Sequence, residues 1–235
     1  MKQTLLKADN WLTEMLGRPA YHVLSPNTIS QSDLPSKNNF LDARVAVSSI
    51  KDLHHLEALN FRLVETNLQL IRKPAPFATY FSNCRFAIPS DEIAVRTIAS
   101  TSFFYDRFHL DPGVTTAASN NLKSQWAGNF FAGNRGDWMV VALENHLVCG
   151  FLQLIQIDYY TICIDLIAVS PNNQGRGIAM AMIAFAASVC LDRPATLAAG
   201  TQIANTPSLA LYNKLGFVMK TAKYVLHLHT SADAP

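Results

Sequence analysis

The chain has 235 residues, of which 49% are hydrophobic and 15% are charged, so it can bury one large core or two small ones. The formal net charge is only +2 and no run of Lys and Arg occurs, which argues against a nucleic-acid partner. The apolar composition favours burial of part of the surface against a partner, most simply in a homodimer.

Cysteine usage and hydrophobic run lengths indicate the cytoplasm. Cys84, Cys149, Cys163 and Cys190 lie mostly among apolar residues without a Cys-x-x-Cys pair, which indicates free thiols and neither a disulfide framework nor a metal site. The N-terminus lacks the apolar segment of a signal peptide. The apolar, uncharged run 177–191 is shorter than the about 20 residues of a membrane span and predicts a buried helix. We therefore expect a cytoplasmic protein with no membrane partner.

The N-terminal part predicts a strand over 43–47, a helix over 50–59 and, after a turn, a strand over 67–72. Prolines around the segment 76–89 then predict a linker. We expect residues 1–75 to form a half-domain and residues 90–235 to form a second, larger domain.

The C-terminal part begins with two predicted helices, over 92–103 and over about 117–131, and Ser90 is a suitable cap for the first. A hairpin and a further strand follow, over 138–143, 148–157 and 161–169. With the helix and strand pairs that come after, this order predicts an α/β fold, a mixed sheet with helices on both faces.

The segment 166–179 reads Leu-Ile-Ala-Val-Ser-Pro-Asn-Asn-Gln-Gly-Arg-Gly-Ile-Ala and joins a hydrophobic strand to an apolar helix. A helix start exposes unpaired backbone N–H groups and the positive end of the helix dipole, so this turn predicts a diphosphate site. Gly175 and Gly177 allow a tight bend and close approach of a ligand. Read alone, the pattern also fits an ordinary strand–helix turn. It is not a dinucleotide fingerprint, because Met180 stands where a third glycine is needed, nor is it a P-loop.

A second pattern lies at 205–217, Asn-Thr-Pro-Ser-Leu-Ala-Leu-Tyr-Asn-Lys-Leu-Gly-Phe. Asn205 is a suitable N-cap, Pro207 fits a first turn, and Gly216 fits a left-handed C-cap, so the segment predicts a short helix. A strand follows from Phe217 onward.

These two segments carry a family resemblance over roughly residues 91–229. The turn at 174–179 resembles the (Gln/Arg)-x-x-Gly-x-(Gly/Ala) signature of the GNAT superfamily of acyl-CoA-dependent N-acyltransferases. The segment 205–217 resembles its other signature, Asn-x-x-(Ser/Ala)-x-x-x-Tyr-x-x-x-Gly-Phe. The resemblance implies the GNAT fold, with residues 90–235 as the catalytic domain, acetyl-CoA as co-substrate and no metal.

The resemblance also implies how the cofactor binds. In the superfamily, the strand that ends at Val169 splays from its neighbour at a bulge, and pantetheine pairs with the freed backbone groups. The cofactor-binding residues implied here are Ile167, Ala168, Val169, Gln174, Gly175, Arg176, Gly177, Ile178, Ala179, Asn205, Ser208, Leu211 and Tyr212.

The N-terminal part repeats the later order in weaker form. Leu59-Asn60-Phe61 matches Leu215-Gly216-Phe217, but the phosphate turn is missing and Leu56 falls where Tyr212 would. We therefore interpret residues 1–75 as a degenerate GNAT-like half-domain that acts as scaffold.

The loop 104–112, Phe-Tyr-Asp-Arg-Phe-His-Leu-Asp-Pro, resembles the Ser-Arg-Phe-(basic) loop of TDP-fucosamine acetyltransferases. That resemblance implies a small-molecule amine acceptor, with a 4-amino-sugar nucleotide as the specific hypothesis. Arg107 and His109 become candidate substrate-binding residues; the alternative is a solvated loop. A peptide or protein amine acceptor and a non-catalytic acyl-CoA-binding module are the rival functions.

Two residues are candidates for the chemical step. Tyr212 is the candidate acid for the departing thiolate, since a phenol is a suitable proton donor to a thiolate. Asp165 either accepts the amine proton or is a carboxylate held by hydrogen bonds to the backbone. No cysteine has a base beside it in sequence, so we expect direct transfer. His227 and His229 alternate on the last strand, and we expect them on an exposed face.

Overall fold

The computed structural model describes residues 4–77, 83–189 and 195–230, so Cys190 and residues 78–82 of the predicted linker lie outside it. The strands are β1 (Leu6–Ala8), β2 (Ala20–Val23), β3 (Phe40–Ala46), β4 (Arg62–Arg72), β5 (Cys84–Phe86), β6 (Trp138–Glu144), β7 (Leu147–Asp158), β8 (Thr161–Val169), β9 (Thr196–Gln202) and β10 (Val218–His229). The helices are α1 (Asn10–Leu16), α2 (Ile50–Ala58), α3 (Glu92–Thr101), α4 (Thr116–Gly128), α5 (Ile178–Val189) and α6 (Thr206–Lys214).

The described strands form one sheet in the order β1-β2-β3-β10-β4-β9-β8-β7-β6-β5. The pairs β2–β3 and β8–β9 are parallel, while the other described pairs are antiparallel. The prediction of a mixed α/β sheet is therefore confirmed. β10 lies between β3 and β4, so strands from both sides of the predicted linker share one hydrogen-bonded sheet.

Helices cover both faces of the sheet, as the order of elements predicted. Buried residues of α5 and α6, including Met182 and Tyr212, pack on one face against Leu68 of β4 and the apolar side chains of β7 to β9. Buried residues of α3 and α4, including Val95 and Ala127, pack on the other face. No helix in the described ranges is both long and apolar enough to cross a bilayer.

Several predicted boundaries were wrong. The strand predicted over 67–72 starts at Arg62, because β10 pairs with β4 as far as His227 opposite Arg62. The helix predicted over 117–131 ends at Gly128. A Cβ at Gly128 would lie 1.9 Å from the Arg96 guanidinium carbon, so the missing side chain lets α3 and α4 approach closely. The helix predicted over 92–103 ends at Thr101.

The prediction of an exposed face for His227 and His229 was also wrong, because β10 is internal to the sheet and its residues 225–228 are buried. His227 is only 2% exposed. Its Nδ1 lies 2.6 Å from Asp111 Oδ2, and His229 Nε2 lies 2.7 Å from the same oxygen. His227 Nε2 faces Arg107 Nη1 at 3.5 Å. Since arginine only donates, that nitrogen accepts, and Nδ1 donates to Asp111.

A third histidine, His22, links the N-terminal segment to this network. It bonds Asp42 through Nδ1 and Asp9 through Nε2, the latter at 2.8 Å. Arg107 donates to the other oxygen of Asp42. Two carboxylates favour the doubly protonated imidazole, and the hydrogen bond to Asp42 above all raises the pKa of His22.

The His22 contacts predict a pH-dependent stability. The folded-state pKa lies above the unfolded value, so the stabilisation is fully present below about pH 6.5 and is lost as the pH rises through the folded-state pKa. We expect His22→Gln to lower the free energy of unfolding more at pH 6 than at pH 9, measured by urea denaturation. His54→Gln on the exposed side of α2 is the control and should show no such difference. An equal loss at both pH values would contradict the prediction.

Candidate active site

The site lies where β8 and β9 separate. Their parallel pairing covers Thr161 to Ile164 of β8, opposite Thr196 to Ala199, whereas β8 continues to Val169. On its other side β8 stays paired with β7, but Leu166 faces Gln153 and Ile164 faces Leu154. Asp165 is thus the extra residue of a β-bulge, and the backbone beyond it is unpaired toward β9. The divergence that the resemblance implied is present.

The turn after β8 presents backbone donors to the space between the strands. A short 3-10 turn over Pro171–Asn173 leads to Gly175 and Gly177, whose φ angles are 77° and 78°. Only glycine takes this left-handed conformation without strain. α5 begins directly after it at Ile178, so the N–H groups of its first turn have no acceptor within the helix.

A cavity of about 630 Å³ occupies this opening. Its walls come from the end of β8, the turn and start of α5, the end of β9, the start of α6 and the segment after α3. The lining residues are Ser102, Phe103, Phe104, Tyr105, Asp106, Ile167, Ala168, Val169, Asn173, Gln174, Gly175, Gly177, Ile178, Ala179, Met180, Gln202, Asn205, Pro207, Ser208 and Leu211.

All of the predicted cofactor-binding residues except Arg176 and Tyr212 line this cavity. Asn205 also caps α6, since its Oδ1 accepts a hydrogen bond from the Ser208 N–H at 3.2 Å. Arg176 instead donates to Glu144 at 2.6 Å. The structure therefore brings the two sequence segments together around one space.

Tyr212 lies in the core and does not line the cavity. It is 3% exposed, and its ring centroid is 5.0 Å from that of Phe217. Burial raises the pKa of the Tyr212 phenol, so it keeps its proton at neutral pH. Its neighbour Leu211 is part of the cavity wall.

Asp165 is held by side chains, which neither of our two interpretations anticipated. Arg135 donates to both of its oxygens, at 2.8 and 2.5 Å. Trp126 Nε1 and Gln153 Nε2 donate to Oδ2 at 2.9 and 3.1 Å. The bulge directs the Asp165 carboxylate toward α4. There, hydrogen bonds from Arg135, Trp126 and Gln153 occupy its two oxygens.

The candidate substrate-binding residues Arg107 and His109 point into the protein. His109 Nδ1 lies 2.5 Å from Asp106 Oδ2, and its Nε2 lies 2.9 Å from Asn120 Oδ1. Arg107 bonds Asp42, and neither residue lines the cavity. The alternative of a solvated loop does not describe them either, because both side chains are largely buried.

Other residues of the same loop do line the cavity, and we had not singled them out. Phe104 and Tyr105 are 58% and 37% exposed there, and Asp106 is buried beside Lys123. Burial raises the pKa of Asp106, but Lys123 and His109 outweigh it and lower that pKa to about 2. Gln202 enters from the end of β9, and no local sequence pattern marks it.

Within the described residues, Asp111, His227 and His229 bring three potential metal ligand atoms within 4.8 Å of one another. The second nitrogen of each imidazole faces an arginine: Arg18 Nη2 lies 2.6 Å from His229 Nδ1, and Arg107 faces His227. Both imidazoles therefore donate to Asp111, which makes this group a closed hydrogen-bond network.

The family model described as the acetyltransferase (GNAT) family matches residues 95–217, which include the divergent strand, the turn and α6. The chain belongs to the GNAT family of acetyltransferases. The fold and the two sequence signatures agree with that assignment.

Two curated relatives and one solved structure illustrate the likeness. The spore coat polysaccharide biosynthesis protein SpsD of Bacillus subtilis is 31% identical over 151 residues, which cover 62% of this chain and 50% of SpsD, so the chain spans about half the length of that relative. The dTDP-fucosamine acetyltransferase of Escherichia coli O6:H1 is 26% identical over 189 residues, or 80% of each protein. A GCN5-related N-acetyltransferase from Sphaerobacter thermophilus shares the fold, with a TM-score of 0.62 at 14% identity over 96% of this chain and 76% of that one.

The geometry of the turn predicts the effect of a substitution at Gly177. A β-branched residue is strained at a φ of 78°, so Gly177→Val should reorient the donors at the start of α5. We expect acetyl-CoA affinity, measured by titration calorimetry, to fall at least about tenfold, or about 1.4 kcal/mol.

Gly17 offers a matched control, since it has a φ of 64°, open space around it, and a position at the C-cap of α1 away from the cavity. Gly17→Val should leave the affinity unchanged, and the circular dichroism spectra should show both variants folded. If the two variants bind acetyl-CoA equally well, the turn does not hold the cofactor.

Proposed function

We propose that this enzyme transfers the acetyl group of acetyl-CoA directly to the primary amine of a small molecule, with an amino-sugar nucleotide as the acceptor class. The single observation that carries the proposal is the cavity between β8 and β9, which has backbone donors at one end and the loop after α3 at the other. A bent cofactor that pairs with the backbone of residues 167–169 would place its diphosphate at the start of α5.

The acceptor end of the cavity supports a small polar acceptor with an aromatic or planar part. Phe104 and Tyr105 provide half-exposed ring surface, and Asp106 and Gln202 are polar residues of the same cavity wall. The names of the two relatives, one a dTDP-fucosamine acetyltransferase and the other a polysaccharide biosynthesis protein, point in the same direction.

The raised pKa values of the cysteine thiols support direct transfer. Burial above all raises the pKa of Cys84 and Cys163 to about 11 and also raises the pKa of Cys149. A thiol must ionise to act as a nucleophile, so these three are poor candidates for an acyl-enzyme intermediate at neutral pH.

The N-terminal half-domain contributes no phosphate turn to the cavity, so we propose a single cofactor site per chain. A homodimer and a cytoplasmic location stay predictions from the sequence.

The proposal is tested by incubating the full chain with acetyl-CoA and a panel of amines: dTDP-fucosamine, a free amino sugar and a lysine-containing peptide. Thiol release and the mass of the acetylated product are measured together. We expect acetylation of dTDP-fucosamine at the highest kcat/KM. Preferential acetylation of the peptide would favour a protein acceptor, and acetyl-CoA binding without acetylation of any amine would favour the non-catalytic module.

Tyr212 is proposed as the acid that protonates the departing thiolate. Tyr212→Phe keeps the buried ring and removes only the phenolic proton, so acetyl-CoA affinity and thermal stability should change little. General acid catalysis contributes about 10²- to 10⁴-fold, and we expect kcat to fall within that range. Retention of most of the wild-type kcat, with chemistry shown to limit turnover, would make Tyr212 a packing residue.

A further inference from the structure

Glu65 is a buried carboxylate with an unsatisfied oxygen. It lies in β4, is 8% exposed, and its Oε2 has no hydrogen-bond partner in the described part of the chain. Leaving such an acceptor unpaired inside a protein is unfavourable, because no hydrogen bond offsets the loss of its hydration. A buried carboxylate oxygen that stays unpaired therefore points to a functional role for Glu65.

The sheet register places Glu65 next to residues of the cavity wall, although Glu65 is not itself one of the lining residues. Asn67 of β4 pairs with Gln202 of β9, and the Ile203 N–H donates to the Thr66 carbonyl at 2.9 Å. Continued by two residues from Asn67, this antiparallel register sets Glu65 opposite Ala204, between Gln202 and Asn205, both of which line the cavity. Glu65 and Asn67 lie two residues apart and therefore share a face with Gln202.

A second β-bulge lies in this part of β4, where β4 pairs with β10. Glu65 pairs with Val225 of β10, whereas Leu63 pairs with Leu226, so Val64 is the extra residue. Bulges of this kind change the direction of neighbouring side chains and are frequent beside active sites. Each of these two bulges involves a carboxylate: Val64 directly precedes Glu65, and Asp165 is itself the bulged residue.

The charged groups that face Glu65 come from three elements. Arg44 lies on β3, Arg107 and Asp106 lie on the loop after α3, and Lys123 lies on α4. Burial raises the pKa of Glu65 to about 7, although the three cations Arg44, Arg107 and Lys123 lower it. A carboxyl group with this pKa is about half ionised at neutral pH, which suits a group that takes up and releases a proton.

We propose that Glu65 contacts the amine of the acceptor and accepts its proton, an assignment that rests on the proposed function. The acceptor ammonium gives one proton to the Glu65 carboxylate, and the neutral amine then attacks the thioester carbonyl carbon. The C–N bond forms and the C–S bond breaks. The second proton of the nitrogen ends on the thiolate, through Tyr212 or directly, and Glu65 returns its proton to solvent.

Glu65 fits this role better than Asp165 does. Both oxygens of Asp165 already accept hydrogen bonds from Arg135, and Trp126 and Gln153 donate to it as well. An acceptor amine would have to displace these donors, whereas Glu65 offers a free oxygen.

The test compares Glu65→Gln with wild-type enzyme, using acetyl-CoA and dTDP-fucosamine. The wild-type kcat/KM should fall as the pH drops through about 7, because Glu65 becomes protonated. Glu65→Gln should lack this fall and should be slower by about 10²- to 10⁴-fold at pH 8. Glu57→Gln, the same change on the exposed side of α2, is the control and should behave as wild type.

Two further measurements separate catalysis from folding. Since the pKa of Glu65 is raised in the fold, its ionisation opposes folding, and Glu65→Gln should melt at or above the wild-type temperature at pH 8. In carbon-13 spectra of the acetyl-CoA complex, one glutamate carboxyl should titrate near pH 7 in wild type and be missing in Glu65→Gln. Unchanged kcat/KM and pH profile in Glu65→Gln would overturn this assignment alone. A wild-type enzyme that acetylates none of the amines would overturn the proposed function and the assignment with it.

Discussion

The separation of β8 from β9 after Ile164 is the constraint on which the rest of the site depends. A parallel sheet that stayed paired to Val169 would leave no backbone groups for a cofactor and no room between the strands. The bulge at Asp165 makes the divergence possible, because the extra residue bends β8 away from its parallel neighbour. Arg135 and Trp126 hold the bulged carboxylate, which makes Asp165 a structural support of the opening.

The chain as a whole is poor in charged residues, yet several of them are buried, and one of these, Asp106, lines the cavity. Asp42, Asp106 and Lys123 are each less than 10% exposed, and each has an opposite charge or a hydrogen-bond donor beside it. Pairing of this kind offsets the large desolvation cost of a buried ion. Glu65 differs from them, because one of its oxygens is unpaired and its pKa is raised to about 7. The difference in pairing separates structural carboxylates from a reactive one.

The same network joins the N-terminal segment to the catalytic part. Asp42 of β3 receives hydrogen bonds from His22 and Arg107, so three distant segments meet at one carboxylate. Insertion of β10 between β3 and β4 adds strand pairing on both sides of β10 to this connection. The N-terminal residues therefore do more than extend the sheet, since β4 also pairs with β9, whose last residue Gln202 lines the cavity.

The sequence by itself determined the family, the mixed sheet and the glycine-bearing turn between β8 and α5, because the patterns that mark them are local. A glycine-bearing turn between a strand and a helix specifies its own backbone geometry, and a cap such as Asn205 acts within one helical turn. For the same reason the cavity contains nearly every residue that the two signatures marked.

Only the tertiary structure decided the polar side of the site. A single extra residue in a strand moves the following side chains to the other face, and neither bulge, at Val64 or at Asp165, has a local signal in the sequence. Arg107 and His109 belong to the loop that reaches the cavity, but their side chains point inward. Gln202 lines the cavity, and the β4–β9 pairing sets it opposite Asn67, more than a hundred residues earlier in the sequence. Such neighbours are set by strand order and register, which depend on pairing across the whole sheet and not on the adjacent residues.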